Sequence, residues 1–371
     1  MHNGAAHSRT VVHILAPARQ GGLEKVVTML CAGQGPERTH VAAVLTPDDM
    51  RQDHPFVEGL QNAGIPVTPV IVGGRSYMKE CRLLSTLLST LNPAIVHTHG
   101  YRADVIGGIV ARSSGARTVS TVHGFTGGSP RNRLNERFQL IALRHADGVI
   151  AVSRPLVARL VQAGVPSRKI HYVQNGFAPS CTLSREAARA KLGIAADALI
   201  AGWVGRLSPE KAPDVALDAL ARSNQRWQIA FVGSGSEEAA LRRRAALLGV
   251  DHRIKWYGAL PNAGSVLAAF DALILSSRTE GTPIILLEAM HAGVPIVATL
   301  VGGVPDVVNA SVASLVEPDE PGMIAQALDR IATHPMEAQQ RAARAADRVA
   351  DGFQPAAWFE RVSAVYEKVL A

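Results

Sequence analysis

The sequence predicts an α/β fold with two domains, each built on a parallel sheet. Short apolar stretches typical of buried strands alternate with helical stretches along the chain, which is the pattern of βαβ units. The 371 residues are enough for two domains of ordinary size. Because 47% of them are hydrophobic and the mean hydropathy is +0.11, both domains can bury large cores. The segment 271–308 shows the pattern most fully.

In this segment a buried strand (271–275), a polar loop and an apolar helix are followed by a second strand (294–298). Thr282 is predicted as the N-cap of the helix and Pro283 as its first residue, where the missing N–H does no harm. Gly293 is predicted to end the helix. The free N–H groups and the positive end of the helix dipole then face the loop, which favours binding of a phosphate.

Two carboxylates flank this predicted phosphate site. Glu280 lies in the loop, and Glu288 lies five residues beyond Pro283, roughly 7–8 Å along the helix axis at a rise of ~1.5 Å per residue. A helical glutamate is usually solvated, but the neighbours of Glu288 are apolar, and a buried glutamate is rare without a partner. The separation suits a nucleotide-sugar, with phosphate at the helix tip and hydroxyls on either side.

The stretches EGTPIILLEAM, HAGVPIVAT and GGVPDVV, with the spacing Glu280-x7-Glu288, resemble the signature of retaining glycosyltransferases of family 4. The resemblance runs from about residue 11 to residue 370. It implies the GT-B fold, in which two Rossmann-like domains have parallel sheets facing across a cleft and a C-terminal helix crosses back to the N-terminal domain. It implies an acceptor-binding domain at 1–178, a nucleotide-sugar donor domain at 179–352 and the returning helix at 353–371.

Two motifs in the first half fit this resemblance. Gly21 and Gly22 separate the first strand from the first helix, so a ligand can approach the backbone closely there. They are no dinucleotide fingerprint, because the third glycine is absent, and most such pairs are simply turns. His123 ends a predicted strand (118–123) in the context TVHG. A lone histidine at a strand end is more often structural, but the resemblance makes His123 the histidine that contacts the donor sugar.

A third motif, GRLSPEK, follows the predicted strand 199–204. Its two cations, Arg206 and Lys211, are spaced to clamp a diphosphate, and the resemblance gives them the same role. The family commonly has a glycine after the lysine, where this chain has Ala212, so the path of this loop is expected to differ.

The resemblance implies transfer of a sugar from a UDP- or GDP-sugar to an acceptor hydroxyl, with retained anomeric configuration. We expect front-face displacement, in which donors preorganised around the leaving diphosphate supply most of the catalysis. His123 and Glu280 are the predicted catalytic residues, with Glu280 on the sugar hydroxyls. The predicted donor-binding residues are Gly21, Gly22, Arg206, Lys211, Gly281, Thr282, Pro283, Ile284 and Glu288. The resemblance implies that no metal or other cofactor is needed, because Arg206, Lys211 and the helix N-terminus neutralise the leaving diphosphate, and the absence of an Asp-x-Asp motif in a suitable loop agrees with this.

Thr282 and Pro283 replace an aromatic residue and a glycine found in many family members. Because Pro283 lacks a backbone donor near the sugar, the sequence does not fix which sugar is transferred.

The net charge of +7 is unevenly distributed. Residues 1–178 contain 19 Lys and Arg against 10 Asp and Glu, whereas the rest contain 19 against 21. A basic half attracts anionic surfaces. A helix predicted at 129–146 carries four arginines and a predicted apolar face, made of Leu134, Phe138, Ile141 and Ala142. This helix either packs on the sheet or contacts a membrane surface, which would suit a lipid-linked acceptor in polysaccharide, lipopolysaccharide or glycolipid assembly.

Other features bound the location and the partners. No run of eighteen apolar residues and no secretory signal is found. Cys31, Cys81 and Cys181 form no metal or redox pattern. We therefore expect a cytoplasmic protein that can lie peripherally on the inner face of the membrane. The expected partners are the donor and a glycan or lipid-linked acceptor, and no motif indicates nucleic acid.

Two other functions compete with sugar transfer. Hydrolysis of a glycoside by Glu280 and Glu288 needs two carboxyls on one sugar but has no use for a phosphate clamp. A catalytically inactive paralogue that still binds a nucleotide-sugar would keep the clamp as well.

Overall fold

The computed structural model describes residues 10–18, 21–34, 39–46, 54–74, 76–125, 130–179 and 181–371. The chain forms two compact units, the first made of residues 1–176 and 355–371 and the second of residues 177–354. The predicted domain limits were 178 and 352. Each unit is built on one parallel sheet, which confirms the predicted α/β fold class.

The described residues of the first unit form seven strands, and each is paired in parallel with its neighbours. They are β1 Val11–Leu15, β2 Thr39–Leu45, β3 Val67–Ile71, β4 Ile95–His99, β5 Arg117–Val122, β6 Gly148–Ala151 and β7 Ile170–Tyr172. Their order in the sheet is β3-β2-β1-β4-β5-β6-β7. The direction of winding therefore changes between β1 and β4, where open α/β sheets bind their ligands.

The helices of this part of the chain connect successive strands. They are α1 Gly22–Gln34, α2 Pro55–Asn62, α3 Tyr77–Leu91, α4 Gly108–Ser113, α5 Pro130–His145 and α6 Arg154–Gln162, with a π-helical segment at Ala103–Gly107 and a 3₁₀ turn at Ser167–Lys169. Strands β1 and β4 are buried along their whole length, as expected for strands covered by helices on both faces.

In the second unit, the part of the chain that the structure describes forms six parallel strands. They are β8 Ile200–Val204, β9 Gln228–Val232, β10 Ile254–Gly258, β11 Ala272–Leu275, β12 Ile296–Thr299 and β13 Ser314–Val316. The order is β10-β9-β8-β11-β12-β13, so the switch point lies between β8 and β11.

The helices of the second unit cover both faces of its sheet and bury two apolar clusters against it. They are α7 Arg185–Leu192, α8 Pro213–Arg222, α9 Glu238–Leu247, α10 Ile284–His291, α11 Val304–Val307, α12 Pro321–Thr333 and α13 Pro335–Gly352, with 3₁₀ segments at Asp251–Arg253 and Ala263–Ala269.

Helix α14 (Pro355–Leu370) belongs to the first unit. Trp358 lies against Gly176, and a Cβ added at that glycine would be 2.8 Å from the Trp358 Cβ. The hydroxyl of Tyr366 is 2.7 Å from Nδ1 of His97 on β4. The predicted return of the C-terminal helix to the N-terminal domain is confirmed.

Among the residues described, no helix combines the length and the apolar character needed to cross a membrane. Cys31, Cys81 and Cys181 are all free thiols.

Candidate active site

Two loops at the carboxyl edge of the second sheet hold the predicted phosphate ligands and carboxylate. The loop after β8 contains Arg206 and Lys211, and the loop after β11 contains Glu280. The hydroxyl of Ser276 joins the two loops, because it accepts from the Trp203 indole at 3.0 Å and donates to the Ala212 carbonyl at 2.7 Å. The site therefore lies at the switch point of the second sheet.

An ion pair forms the centre of this site. Nζ of Lys211 lies 2.7 Å from Oε1 of Glu280, and the Ser277 hydroxyl donates to the same oxygen at 2.6 Å. The Glu280 side chain is only 6% exposed, whereas that of Lys211 is 29% exposed. Oε2 of Glu280 makes no hydrogen bond to another described residue, so this oxygen can accept from a ligand hydroxyl.

Arg206 stands outside this pair. Its side chain is 62% exposed, and Nη1 is 3.9 Å from the Glu210 carboxylate. Such a long ion pair at an exposed site contributes little to the stability of the folded protein. The guanidinium is therefore available to an anion.

Helix α10 begins one residue later than the sequence predicted. Pro283, not Thr282, is the N-cap, and Ile284 is the first helical residue. The proline ring fixes φ at −73°, a value that a helix also uses, but leaves ψ free, and here ψ is 100°, which is extended. The assignment of Thr282 as cap and Pro283 as first residue was therefore wrong. The predicted helix end is confirmed, since Gly293 follows the C-cap with φ +65°.

Glu288 is buried, as the apolar character of its helix predicted. Its carboxylate lies against the 3₁₀ segment Ala263–Ala269, where a Cβ added at Gly264 would be 2.8 Å from Oε1 and 2.9 Å from Cδ. The missing side chain at Gly264 therefore makes room for the carboxylate, a relation that the sequence alone did not reveal.

Two positions explain the path of the loops around Glu280. Gly302 has φ +49°, and a Cβ there would be 2.0 Å from the Glu280 carbonyl oxygen, so only glycine fits. Ala212 adopts the left-handed conformation at φ 50°, which a glycine reaches without strain. The alanine after Lys211 thus occupies a conformation suited to the glycine that the family commonly has there.

The Gly-Ser-Gly stretch after β9 serves backbone packing. A Cβ added at Gly233 or Gly235 would overlap the carbonyl oxygens of Gly205 and Leu207. The Leu207 N–H donates to the Ser234 carbonyl at 3.1 Å. These glycines let the loop after β9 pack closely against the loop after β8, which contains Arg206 and Lys211.

The predicted residues of the first half also lie at a carboxyl edge. Gly21 and Gly22 follow β1, and Gly22 is the first residue of α1, while residues 19 and 20 lie outside the described part of the chain. His123 follows β5, and its Nε2 is 3.1 Å from Nδ1 of His99. Burial lowers the pKa of His123 to about 4, so the ring is neutral at physiological pH.

His123 is one of four histidines in the first unit that lie together. Sequence reasoning selected His123 alone and missed His13, His97 and His99, which are completely or almost completely buried. A signal was present, because these residues fall in VVHIL, IVHTH and TVHG, each in or directly after a predicted strand.

Two protein-family models match this chain, one in each half. Residues 20–180 match the model described as Glycosyltransferase Family 4, and residues 184–349 match the one described as Glycosyl transferases group 1. The chain is a family 4 glycosyltransferase. The family predicted from its motifs is confirmed.

This glycosyltransferase resembles several curated proteins. It is 28% identical over 308 residues to the D-inositol 3-phosphate glycosyltransferase 1 of Catenulispora acidiphila, and the aligned region covers 74% of this chain and 72% of that protein. It is 31% identical over 293 residues to the D-inositol 3-phosphate glycosyltransferase of Streptomyces avermitilis, which covers 70% of this chain and 62% of the relative.

Solved structures agree on the fold of the glycosyltransferase. Anabaena HepE in complex with UDP-glucose is 21% identical, with a TM-score of 0.85 and coverage of 97% of this chain and 99% of that one. Sucrose-phosphate synthase from Thermosynechococcus elongatus is 20% identical, with a TM-score of 0.80 and coverage of 97% and 98%. The GT-B fold expected from the motifs is thereby confirmed.

Helix α5 of the glycosyltransferase presents its predicted apolar face outward. Leu134, Phe138 and Ile141 are 50%, 49% and 48% exposed, and the buried side chains are Gln139 and Leu143 instead. Gln139 is drawn inward because its amide donates to the buried carboxylate of Asp104 at 2.7 Å. The helix nevertheless packs on the sheet, the first of the two alternatives, because Leu143 lies in one buried cluster with Val122 and Val149. Contact of the exposed apolar face with a membrane surface stays a prediction.

Proposed function

We propose that this protein transfers a sugar from a UDP- or GDP-sugar to a hydroxyl of a glycan or lipid-linked acceptor, with retained anomeric configuration. The pair of Lys211 and Glu280 beside the exposed Arg206 supports this proposal most strongly, because it combines cations for a diphosphate with a carboxylate for sugar hydroxyls. The names of the solved neighbours add support, since HepE has been crystallised with UDP and with UDP-glucose.

In this proposal the second unit binds the donor. Arg206 and Lys211 hold the diphosphate together with the first N–H groups of α10, at Ile284 and beyond, where a helix start favours anions. Gly281, Thr282 and Pro283 form the loop that faces the sugar. Oε2 of Glu280 accepts from the sugar hydroxyls, and Glu288 binds the ribose.

The reaction proposed is a front-face displacement. Negative charge develops on the leaving diphosphate, so cations fixed in place before the reaction lower the barrier. The leaving phosphate takes the proton of the acceptor hydroxyl, and no residue acts as a covalent nucleophile. In the first unit, His123 acts on the donor sugar, and Gly21 and Gly22 form the loop nearest the phosphates and the acceptor. We expect turnover that needs no added metal and persists in EDTA.

A thermal-shift panel tests the donor assignment. Wild-type protein, Arg206→Ala and Glu288→Ala are heated with UDP, GDP, ADP and their sugars. A ligand at ~100 times its dissociation constant adds roughly 2.7 kcal/mol to the native state, so one nucleotide should raise the wild-type melting temperature and each variant should lose most of the shift. Arg330→Ala is a matched control, because this exposed arginine pairs with Glu337 away from the site. The proposal fails if no nucleotide shifts the wild type.

Product analysis distinguishes the competing functions. With the nucleotide found above, transfer predicts a new glycoside whose anomeric configuration, read by ¹H NMR, equals that of the donor. Because the curated relatives are named for D-inositol 3-phosphate, inositol phosphates are the first acceptors to assay. Release of sugar from glycosides without nucleotide would favour the hydrolase. Donor binding without turnover against any acceptor would favour the inactive paralogue.

We further propose that α5 brings the first unit to anionic lipid, in keeping with an acceptor on a lipid carrier. Three exposed apolar side chains, Leu134, Phe138 and Ile141, lie on one helical face at spacings of four and three. Four exposed arginines accompany them, at positions 131, 133, 137 and 144. An amphipathic helix with a basic polar face suits the boundary of an anionic bilayer.

Co-sedimentation with vesicles tests this contact. Wild-type protein should pellet with phosphatidylglycerol vesicles at low salt and much less with phosphatidylcholine. Phe138→Ser should weaken binding severalfold, while Met336→Ser, which changes another exposed apolar side chain on α13, should not. Equal binding to both lipids, or no effect of Phe138→Ser, argues against a role for α5.

A further inference from the structure

Four histidines of the first unit, His13, His97, His99 and His123, lie on one face of the sheet around its switch point. His13 on β1 pairs in register with His97 on β4, and His99 pairs with Thr121 on β5, two residues before His123. Because side chains alternate along a strand, these positions point to the same face. His13, His97 and His99 are 0%, 0% and 2% exposed.

Three of these rings form a hydrogen-bonded chain. Nε2 of His123 is 3.1 Å from Nδ1 of His99, and Nε2 of His99 is 2.9 Å from Nδ1 of His13. The chain ends at Nε2 of His13, a buried atom without a hydrogen-bond partner among the described residues. At the other end, Nδ1 of His123 makes no hydrogen bond to another described residue.

His97 stands beside the chain and is not a link in it. Its Nδ1 and Nε2 are each 2.7 Å from a hydroxyl, of Tyr366 and of Thr121 respectively. Its ring packs on the ring of His99, with centroids 4.2 Å apart. His97 thus shares the burial of the other rings and provides a natural control for them.

The protons of the three hydrogen-bonded rings, those of His13, His99 and His123, can be arranged in only two ways. A neutral imidazole has one N–H and one lone pair, so both ring–ring hydrogen bonds must point the same way. If they point inward, His13 keeps a buried N–H that has no acceptor. If they point outward, His13 Nδ1–H donates to His99, His99 Nδ1–H donates to His123, and His13 keeps only a lone pair. Buried donors without a partner are rarer in proteins than under-satisfied acceptors, so the outward arrangement is favoured.

We propose that His99 and His13 are positioning residues that hold His123 as the tautomer with its proton on Nδ1. His123 then offers an N–H donor at the carboxyl edge of the sheet, suited to a hydroxyl or phosphate oxygen of the donor. This inference rests on the proposed function for the role of His123 in the reaction, but the tautomer itself can be measured without any substrate.

A metal site is the competing explanation. His13, His97 and His99 each place a ring nitrogen within 4.8 Å of the others, a grouping that could hold an ion. Metal binding needs a free lone pair from each ring, at about 2.0–2.1 Å for zinc. Here both nitrogens of His97 face hydroxyls and those of His99 face other rings. Binding an ion would therefore break these hydrogen bonds.

Long-range ¹H–¹⁵N correlation spectra of protein labelled with ¹⁵N-histidine provide the test, because protonated and unprotonated ring nitrogens differ widely in shift. Spectra of the His123→Gln and His99→Phe variants assign the signals. In the wild type we expect His123 to be protonated at Nδ1 and bare at Nε2. In His99→Phe this signal should become an average of both tautomers, whereas His97→Phe should leave it unchanged. Protonation of wild-type His123 at Nε2 overturns the proposal, whatever the effect of the variants on turnover.

Kinetics and metal analysis complete the test. His99→Phe should lower kcat/KM by about tenfold and His97→Phe by less than twofold, at unchanged donor affinity. The two proposals can fail separately. If His123→Gln has no effect on turnover although the wild-type tautomer is as proposed, the role of His123 in the reaction is wrong, but the three hydrogen-bonded histidines still fix the tautomer. Stoichiometric metal in the purified protein, or a shift of the His13 signals on addition of zinc, would favour the metal site instead.

Discussion

The carboxyl edge of the first sheet gathers neutral rings, whereas the same edge of the second sheet gathers charges. In the first unit the imidazoles of His13, His97 and His99 are buried. Hydrogen bonds join His13, His99 and His123 to one another, whereas His97 bonds to two hydroxyls. In the second unit Lys211 and Glu280 form an ion pair, and Arg206 is largely exposed. The two edges share a topology, so the difference lies in the loop and strand-end residues. One edge is suited to polar recognition without charge and the other to an anion.

The largest effect is expected where the second edge has no room to adapt. In Gly302→Ala the new Cβ would lie 2.0 Å from the Glu280 carbonyl oxygen at φ +49°. Backbone strain and overlap together should lower the free energy of unfolding by about 3–5 kcal/mol. Gly322→Ala is the control, since its nearest new neighbour is 3.9 Å away. Denaturant unfolding followed by hydrogen exchange should show the loss in the second unit, and equal stability of the two variants would contradict it.

The next largest effect is expected from acid, which should destabilise the first unit through its buried histidines. Burial lowers the pKa of His13 to about 3 and of His123 to about 4, and burial together with the neighbouring histidines places those of His97 and His99 well below 6.5. Neutral rings stabilise the folded state fully above pH 6.5, and this stability is lost as the pH falls toward those values.

Asp104 acts in the opposite direction. Burial raises its pKa to about 6 despite hydrogen bonds from Thr98, Ser120 and Gln139, so its folded form gains stability as the pH falls through 6. At about 1.4 kcal/mol per group and pH unit, His13 and His123 outweigh Asp104, and between pH 6.5 and 5 these three groups together should lower the free energy of unfolding by about 2 kcal/mol. Protonation of His97 and His99 should add to this loss. Urea unfolding at several pH values checks this. A first unit as stable at pH 5 as at pH 7 would contradict it.

Replacing Lys211 by an uncharged residue tests the role of positive charge at the carboxyl edge of the second sheet. Lys211→Met leaves the Glu280 carboxylate with only the Ser277 hydroxyl, and it removes a cation from the leaving group. We expect turnover to fall by about 10²–10³ and stability by about 1–2 kcal/mol. The exposed pair Arg330–Glu337 gives the matched control Arg330→Met, which should change neither by much. A Lys211→Met enzyme with unchanged kcat would show that this lysine does not act on the leaving group.

The smallest effect sharpens the role of Glu288. Gly264→Ala changes no functional group, but its Cβ would lie 2.8 Å from Oε1 of Glu288, so the carboxylate must move. Because it is the end of a flexible side chain, we expect little loss of stability and a severalfold rise in the KM for the donor. Glu288→Gln should raise the KM at least as much. If Gly264→Ala leaves the KM for the donor unchanged, Glu288 does not bind it.

Local pattern predicted most of the fold. Apolar runs located the strands, and the boundaries moved by only a residue or two, because a buried parallel strand has few polar positions. The start of α10 was missed by one residue, since proline fixes φ but not ψ. Which face of α5 is buried could not be read from its pattern, because the inward position of Gln139 depends on Asp104, which is 35 positions away in the sequence.

The candidate site was predictable only where a motif is contiguous. GRLSPEK and EGTPIILLEAM identified the charged residues, but the contact of Lys211 with Glu280 joins residues 69 positions apart. The histidine chain depends on β1 and β5 lying on either side of β4, and strand order cannot be read from local pattern. The roles of the predicted site residues in binding and catalysis remain predictions.

The discontinuity of the first unit has a consequence for synthesis on the ribosome. Its first 176 residues emerge early, but Trp358 and Tyr366, which contact Gly176 and His97, are translated after the whole of the second unit. Because domains generally fold as units, the contiguous second unit can fold as soon as it has emerged, whereas the first unit must wait for α14. Until α14 arrives, the nascent first unit exposes the apolar surface that this helix later covers, and it would be the natural target of a chaperone.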